Sequence, residues 1–407
     1  MRRRAFRRIR ALTALLSALV VVACVAEPPA RVGGSGVALA GVAPTPPLGW
    51  NSWQPYGCGV TEAQVKAQAD ALVSTGLRDA GYRYVVVDDC WNASTRTKDG
   101  ALQSDSTRFP DGMSSLGEYL HQRGLKFGLY VGASDKTCTQ YQGQYPGATG
   151  SRGVEQRDAA TLAWWGVDYI KADWCSSNGD HDDQVAAFTA WRDAVRATGR
   201  PMVLSINPNS GVSGMPPGQR FDWGGVATMT RITNDIAASF ASVLGIADVV
   251  GLVTPRTRAD AFNDPDMLVV GQGLSAAQAR TQMSLWAMMA APLMIGTDLT
   301  RLSDAGLGVV GNQAMLAIDQ NSRVVSGAPV AGDPQVWSRA IGPKGLAVSM
   351  TNRTSRNATV TVSLASLGLS GDGVVGVDVW TSKRYQAHDG VLSVQVAAGD
   401  TALLEIV

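Results

Sequence analysis

Short apolar runs alternate with longer helical stretches from residue 48 to residue 298, and this rhythm constrains the chain more than any other feature. The runs are LGWNSW (48–53), YRYVVVDD (82–89), KFGLYV (126–131), VDYIKAD (167–173), PMVLSIN (201–207), TMTRITND (228–235), DMLVVG (266–271) and APLMIGTD (291–298). Helices are predicted near 62–80, 114–123 and 155–165. Val, Ile and Tyr runs without clean alternation suit parallel strands buried on both faces. Eight of them separated by helical segments predict a (β/α)8 TIM barrel over 46–322, with an open doubly wound sheet as the structural competitor. Beyond about residue 320 the texture changes to GLAVSM, TVTVSL, GVDVW and ALLEIV, separated by Gly, Asn, Asp and Ser. These alternating runs predict a small C-terminal antiparallel β-sandwich over 323–407.

The first residues are a different kind of segment. Six arginines before residue 11 precede an apolar run from Leu12 to Ala23, too short to span a bilayer comfortably. That layout reads as an export signal over 1–26, followed by a Gly-, Pro- and Ala-rich linker over 27–45. Val21-Val22-Ala23-Cys24 fits a bacterial lipoprotein cleavage box, with Cys24 carrying lipid, and equally an ordinary small-residue cleavage site. The chain is thus expected to be secreted or extracytoplasmic, free or lipid-anchored, with no transmembrane helix after processing. Four cysteines remain in the mature chain, Cys58, Cys90, Cys138 and Cys175, and an even number in an exported protein predicts two disulfides. Three pairings are open at this point.

The 35 Lys and Arg nearly balance the 34 Asp and Glu, and removal of the arginine-rich leader makes the remainder mildly acidic. Neither nucleic acid nor an anionic membrane is expected as a partner. The three histidines, His121, His181 and His388, stand in no metal-ligand spacing, so neither a metal nor another cofactor is expected.

In a barrel of this type the reactive groups collect at the C-terminal ends of the strands. Here the strand ends carry Trp53, Asp88 and Asp89, Tyr130, Lys171 and Asp173, Asn207, Arg231 and Asp235, and Asp264 and Asp266. Any one acid at a strand end usually marks only a turn. A whole rim of them, with two cations and aromatic rings, suits sugar hydroxyls better than phosphate. No GxxxxGK[ST] loop and no GxSxG elbow occurs. Glycoside hydrolysis needs two carboxyl groups flanking the anomeric carbon. Asp173, on the same strand face as Lys171, is the candidate nucleophile, because a nearby cation holds a carboxylate ionised. Asp235, four residues beyond Arg231, is the candidate general acid/base, for which a raised pKa is expected.

The motifs PPLGWNSW, GLRDAGYRYVVVDDCW, DGALQSDSTRFPDGM, HQRGLKFGLY, KTC, WWGVDYIKADWC, RITNDI, NDPDML and LWAMMAAPLMIGTDL together resemble glycoside hydrolase family 27, the α-galactosidase and α-N-acetylgalactosaminidase family. The resemblance covers nearly the whole mature chain. It implies an anomer-retaining double displacement with Asp173 as nucleophile and Asp235 as acid/base. It places Trp53, Asp88, Asp89, Tyr130, Lys171, Arg231 and Asp266 at sugar-binding positions, and implies the disulfides Cys58–Cys90 and Cys138–Cys175. The implied substrate is an α-galactoside oligosaccharide or polysaccharide. One departure stands out: many members carry Cys-Glu-Trp at the fifth strand, where this chain reads Ser205-Ile206-Asn207-Pro208-Asn209. Asn207 can hydrogen-bond the sugar but lacks the charge of Glu. A β-L-arabinopyranosidase is therefore the alternative within the family. An α-N-acetylgalactosaminidase, an isomaltose-releasing glucanase and a catalytically silent carbohydrate-binding protein stand further off. Trp337 and Trp380 of the sandwich are read as core or interface rings before they are read as polysaccharide contacts.

Overall fold

The computed structural model describes residues 38–177, 180–208, 221–253, 257–371 and 373–407. The expected export signal, Cys24, most of the expected linker and Asn209 lie outside the described residues.

Eight parallel strands are present: β1 (Leu48–Asn51), β2 (Tyr84–Val87), β3 (Lys126–Gly132), β4 (Tyr169–Asp173), β5 (Val203–Asn207), β6 (Met229–Arg231), β7 (Phe262–Asp264) and β8 (Leu293–Ile295). They pair in the order β7-β6-β5-β4-β3-β2-β1-β8, so sequence neighbours are spatial neighbours throughout. The ring closes through Leu268. Its N–H donates to the Met294 carbonyl at 2.8 Å and its carbonyl accepts from Gly296 N at 2.9 Å. The barrel expected from the strand–helix rhythm is therefore the observed fold.

The seventh strand differs from the expectation. Within DMLVVG, Asp266 to Val270 are buried but form no strand, because Asp266 takes φ 81° and turns the chain, and the paired residues are Phe262–Asp264 upstream. An apolar run read without its backbone cannot distinguish a buried loop from a buried strand. The helix expected over 62–80 likewise stops at Ser74, because Gly76 turns into the left-handed region at φ 77°. Its start is fixed by a capping box in which Thr61 accepts from Gln64 N and the Gln64 side chain reaches back.

Alternation along each strand stacks the barrel interior in layers. The lowest is apolar: Tyr84, Tyr169, Val203, Met229, Phe262 and Met294 form one cluster, which Ala43 joins from below. Residues 38–45, read from sequence as the end of a linker, are docked here. Gly41 N and Ala43 N both donate to the Asp260 carboxylate, at 2.7 and 2.6 Å. Two residues above Tyr169 on β4 comes Lys171, and two above that Asp173. The same strands that build the apolar floor thus raise the polar rim.

The C-terminal part is antiparallel, with β9 (Ala328–Val330), β10 (Asp333–Ile341), β11 (Gly345–Thr351), β12 (Ala358–Ser363), β13 (Val375–Asp378), β14 (Arg384–Gln386), β15 (Val391–Val396) and β16 (Thr401–Ile406). A six-stranded sheet, β14-β13-β16-β11-β10-β9, faces the pair β12-β15 across Val336, Val348, Met350, Val360, Val362, Leu392, Val394 and Leu404. Its other face meets the helix Ala276–Met289 of the barrel. There Thr281 Oγ1 donates to Gly399 O at 2.8 Å, Arg280 Nε bonds Asp400 at 3.1 Å, and Arg339 Nη1 donates to Ala287 O. Trp337 is buried, and Trp380 donates from Nε1 to Ser284 Oγ at 2.9 Å. Both rings belong to the interface between the two parts.

Candidate active site

The strand tips enclose a cavity of about 300 Å³ lined by Trp53, Asp88, Asp89, Tyr130, Lys171, Asp173, Asn207, Arg231, Asp235 and Asp266. Those are ten of the eleven strand-end side chains named from sequence. They share the lining with Gln54, Cys138, Thr139, Gln142, Cys175, Thr233, Asn234 and Met267. Asp264 lies one layer lower, where its carboxylate accepts from Asp266 N at 2.8 Å.

One wall is a charge cluster built on β2 and β4. Lys171 Nζ lies 2.8 Å from Asp88 Oδ2 and 3.6 Å from Asp173 Oδ2. Asn51 Nδ2 donates to the same Asp88 oxygen at 2.7 Å. Burial opposes the ammonium charge, but Asp173 and Asp88 outweigh it and hold Lys171 protonated. Lys171 also sits 5.3 Å from the centre of the Tyr130 ring, over a face of negative potential. Asp89 is fixed by the neighbouring loop: its Oδ2 accepts from both Thr139 N and Thr139 Oγ1 at 2.9 Å, and its Oδ1 from Cys90 N at 2.7 Å.

That loop reaches the site because Gly132 ends β3. A Cβ there would lie 2.5 Å from the Lys136 carbonyl, so only glycine lets the segment fold back this closely. A second capping box, Thr137 with Gln140, starts the turn Cys138–Tyr141, and Cys138 N donates to Tyr130 Oη at 3.0 Å. The disulfide Cys138–Cys175 then ties this turn to the end of β4, and Cys58–Cys90 ties the loops after β1 and β2. Thr139 was not singled out from sequence, although the T-x-x-Q spacing of its loop marks a capped turn. Gln54, Gln142 and Met267 carry no comparable signal, because a neutral side chain beside a motif looks the same in a core, a turn or a pocket.

The opposite wall is organised by Arg231. Its Nη2 lies 2.6 Å from Asp235 Oδ1 and 2.8 Å from Asp266 Oδ2. The two candidate reactive carboxyls differ sharply in exposure: the Asp173 side chain is 8% exposed and that of Asp235 is 80%. Among the described residues Asp173 Oδ1 is buried with no hydrogen-bond partner. Burial pushes the Asp173 carboxyl up to about 7 against the pull of Lys171, and the charge of Asp235 adds to the push. Arg231 holds Asp235 below the usual carboxylate range. Burial also raises Asp266, to about 6. This reverses the sequence expectation for the free protein, in which Lys171 was to keep Asp173 ionised and Asp235 was to be raised. The reason is geometric: Asp173 is buried and its Lys171 lies closer to Asp88, whereas the exposed Asp235 lies 2.6 Å from the Arg231 guanidinium. No group of three or more His, Cys, Asp or Glu side chains among the described residues is arranged to hold a metal ion.

Two carboxyls on opposite walls of a polar, aromatic-edged cavity, at the C-terminal rim of a (β/α)8 barrel, give the architecture of a glycosidase. Comparison with known proteins narrows the class. The family model described as "Alpha galactosidase A" matches residues 45–321, and that described as "Alpha galactosidase C-terminal beta sandwich domain" matches 331–406. The chain is 33% identical to an α-galactosidase of Cyamopsis tetragonoloba, over 88% of this chain and 84% of that one. It is 36% identical to an α-N-acetylgalactosaminidase of Gallus gallus, over 81% and 84%. The crystal structure of α-galactosidase I from Mortierella vinacea superposes with a TM-score of 0.79 at 26% identity, covering 90% of this chain and 98% of that one. The chain belongs to the α-galactosidase family, glycoside hydrolase family 27.

Proposed function

We propose that this protein is an exo-acting, anomer-retaining α-galactosidase in which Asp173 is the nucleophile and Asp235 the general acid/base. The observation that carries the reading is the asymmetry of the two carboxyls. Asp173 is buried at the cavity floor with one oxygen unpartnered among the described residues, and Asp235 stands exposed at the mouth, where a leaving group departs. In the first step an Asp173 oxygen bonds to the anomeric carbon as the glycosidic C–O bond breaks, and Asp235 delivers its proton to the leaving oxygen. In the second, water attacks the same carbon while Asp235 takes its proton, and Asp173 leaves with the original anomer restored. Asp88, Asp89 and Lys171 form the end of the cavity that grips a ring's hydroxyls, with Trp53 and Tyr130 supplying apolar faces. Arg231 and Asp266 complete the opposite side.

The substrate panel tests the reading. Of aryl α-galactoside, aryl β-L-arabinopyranoside, aryl α-N-acetylgalactosaminide and an isomaltoside, the first should be cleaved with the highest kcat/KM, and preference for either of the last two overturns the assignment. Asn207 favours a second reading. It is 4% exposed, occupies the tip of β5 in register with Asp173, and is neutral where many relatives are acidic. A β-L-arabinopyranosidase would show kcat/KM rising when the substrate's hydroxymethyl group is removed.

The pH profile gives a further test. The reaction needs one proton on the pair, located on Asp235. Above the Asp173 value both carboxyls are ionised and the leaving oxygen receives no proton, so an alkaline limb is expected near pH 7. Below the Asp235 value both are protonated and no nucleophile is available, which sets an acid limb under the ordinary carboxylate range. Arg231→Met should move the acid limb to higher pH. An unmoved limb would separate Asp235 from the pH dependence.

The two disulfides fit an oxidising compartment, and no helix among the described residues is long and apolar enough to cross a membrane. We read the chain as exported, either free or anchored by lipid at Cys24. The mass of the mature N-terminus separates these two forms.

A further inference from the structure

Asp235 stands on a segment without regular structure. Between Arg231 at the end of β6 and the helix Phe240–Val253, residues 232–239 form neither helix nor strand. Asn234, Asp235, Ala237, Ala238 and Ser239 are exposed, and Ile236 alone among residues 234–239 is buried. The Asp235 carboxylate meets Arg231 Nη2 at 2.6 Å and otherwise projects toward solvent. A general acid has to present its proton within hydrogen-bond reach of the leaving oxygen, so an exposed carboxyl on an irregular segment needs its backbone held.

That hold is made at Ile236, from two other loops. Ile236 N donates to Asp266 Oδ2 at 2.8 Å, and Ile236 O accepts from Gln54 Nε2 at 3.2 Å. Both backbone polar groups of the residue next to Asp235 are thus taken by side chains, one from the loop after β7 and one from the turn Trp53–Tyr56 after β1. Each clamping residue is itself fixed. Asp266 takes φ 81°, a conformation held by its own N–H, which donates to the Asp264 carboxylate at 2.8 Å. Its Oδ1 accepts from Met267 N at 2.8 Å, and its Oδ2 lies 2.8 Å from Arg231 Nη2 as well as from Ile236 N. Both Asp266 oxygens therefore face protein donors. The Gln54 stem lies against Gly296, where a Cβ would come within 3.2 Å of Gln54 Cγ. Gly273, at φ 66°, lets the loop after β7 pass close to the same segment, since a Cβ there would run into the Ala238 carbonyl oxygen.

We propose that Gln54 and Asp266 are positioning residues, which set the place of the Asp235 carboxyl by clamping Ile236 and do not themselves touch the reacting atoms. The proposal deepens the reading of Asp235 as general acid and rests on it. Asp266 acts by a second route as well, because the Arg231 guanidinium it holds is the group that contacts Asp235. A clamp of this kind matters in proportion to the need for a proton. Its loss costs most where the leaving oxygen must be protonated as it departs, and least where the leaving group departs as a stable anion. A residue that gripped the galactosyl ring, or that only kept the segment folded, would affect both kinds of substrate alike.

The clamp is tested by kcat/KM for phenyl and for 2,4-dinitrophenyl α-galactoside in the wild type, Gln54→Met, Gln54→Glu, Asp266→Ala and Asp235→Ala. This parameter reports the steps up to cleavage of the glycosidic bond, and the galactosyl ring is the same in both substrates. Gln54→Met and Gln54→Glu keep the length of the side chain and lose the donor. On the phenyl glycoside they should fall about tenfold, and Asp266→Ala about a hundredfold. On the dinitrophenyl glycoside each loss should be smaller by a factor of about five or more. Gln54 is partly exposed, so its two variants carry the test alone if Asp266→Ala does not fold. Hydrogen exchange at the Ile236 amide supplies a readout that needs no activity, and it should speed up about tenfold in the Gln54 variants. Equal losses of these variants on the two substrates, or Ile236 exchange at the wild-type rate, overturns the clamp. Equal losses of Asp235→Ala on the two substrates count instead against Asp235 as the acid, and Ile236 exchange still decides whether Gln54 and Asp266 hold the segment.

Discussion

Asp173→Ala should lower kcat on aryl α-galactoside by about 10⁴-fold, roughly 5.5 kcal/mol of transition-state stabilisation, while leaving the fold intact. The size follows from its position. An Asp173 oxygen is buried with no hydrogen-bond partner among the described residues, so removing the carboxylate deletes the atom that bonds to the anomeric carbon. Added azide should fill the space and restore part of the turnover, giving β-galactosyl azide, since it attacks from the face Asp173 occupied. Asp235→Ala should behave differently. With a good aryl leaving group the first step needs no proton, and azide then attacks the glycosyl-enzyme to give the α-azide. Identifying the azide anomer by NMR in both variants assigns the two roles. The same anomer from both variants, or a kcat for Asp173→Ala within tenfold of the wild type, removes Asp173 from the mechanism.

Arg339→Ala should lower the unfolding free energy by about 3–5 kcal/mol, the cost of emptying a large buried side chain and leaving two buried carbonyls without their charged donor. Arg339 lies on β10 with 1% of its surface exposed, and bonds Ala287 O and, at 3.3 Å, Asp319 O. Its charge opposes the burial that raises the Asp319 carboxyl to about 7. In the unfolded chain that carboxyl titrates near 3.8, so the native state binds the proton more tightly and this group's contribution to stability is lost as pH rises from about 4 to 7. Without Arg339 the loss should extend to higher pH. Asp319→Asn, which carries no charge, should flatten the dependence instead. Denaturant unfolding at pH 5 and pH 8 measures all three proteins, and a difference under 1 kcal/mol between Arg339→Ala and the wild type at pH 8 contradicts the account.

What could be read in advance, and what could not, divides along physical lines. The barrel is legible because parallel strands buried on both faces leave long apolar runs, and the antiparallel part because β12 alternates buried with exposed residues. The ten cavity residues are legible because strand ends converge on one rim, whichever helices lie between. The seventh strand is misplaced because Met267, Leu268, Val269 and Val270 are all buried in a loop, and burial leaves the same mark in either conformation. The protonation of Asp173 and Asp235 is illegible for another reason. Spacing along the chain places Lys171 beside Asp173 and Arg231 beside Asp235 alike, and only the third dimension shows that Lys171 lies nearer to Asp88.

The way the barrel closes dictates an order of assembly. Both disulfides join residues fewer than 40 positions apart, 32 and 37, and both lie within the first 175 residues, so each can form before the later half of the chain is in place. The ring, in contrast, is sealed by Leu48 on β1 against Leu293 on β8, a contact whose two halves are made far apart in time. Every side chain lining the cavity at the strand tips comes from residue 267 or earlier. A chain halted before β8 would carry all of the proposed chemistry and both crosslinks yet have no barrel to aim them. The last barrel strand, and the sheet that then docks behind it, act as the clasp that converts a list of reactive groups into a site.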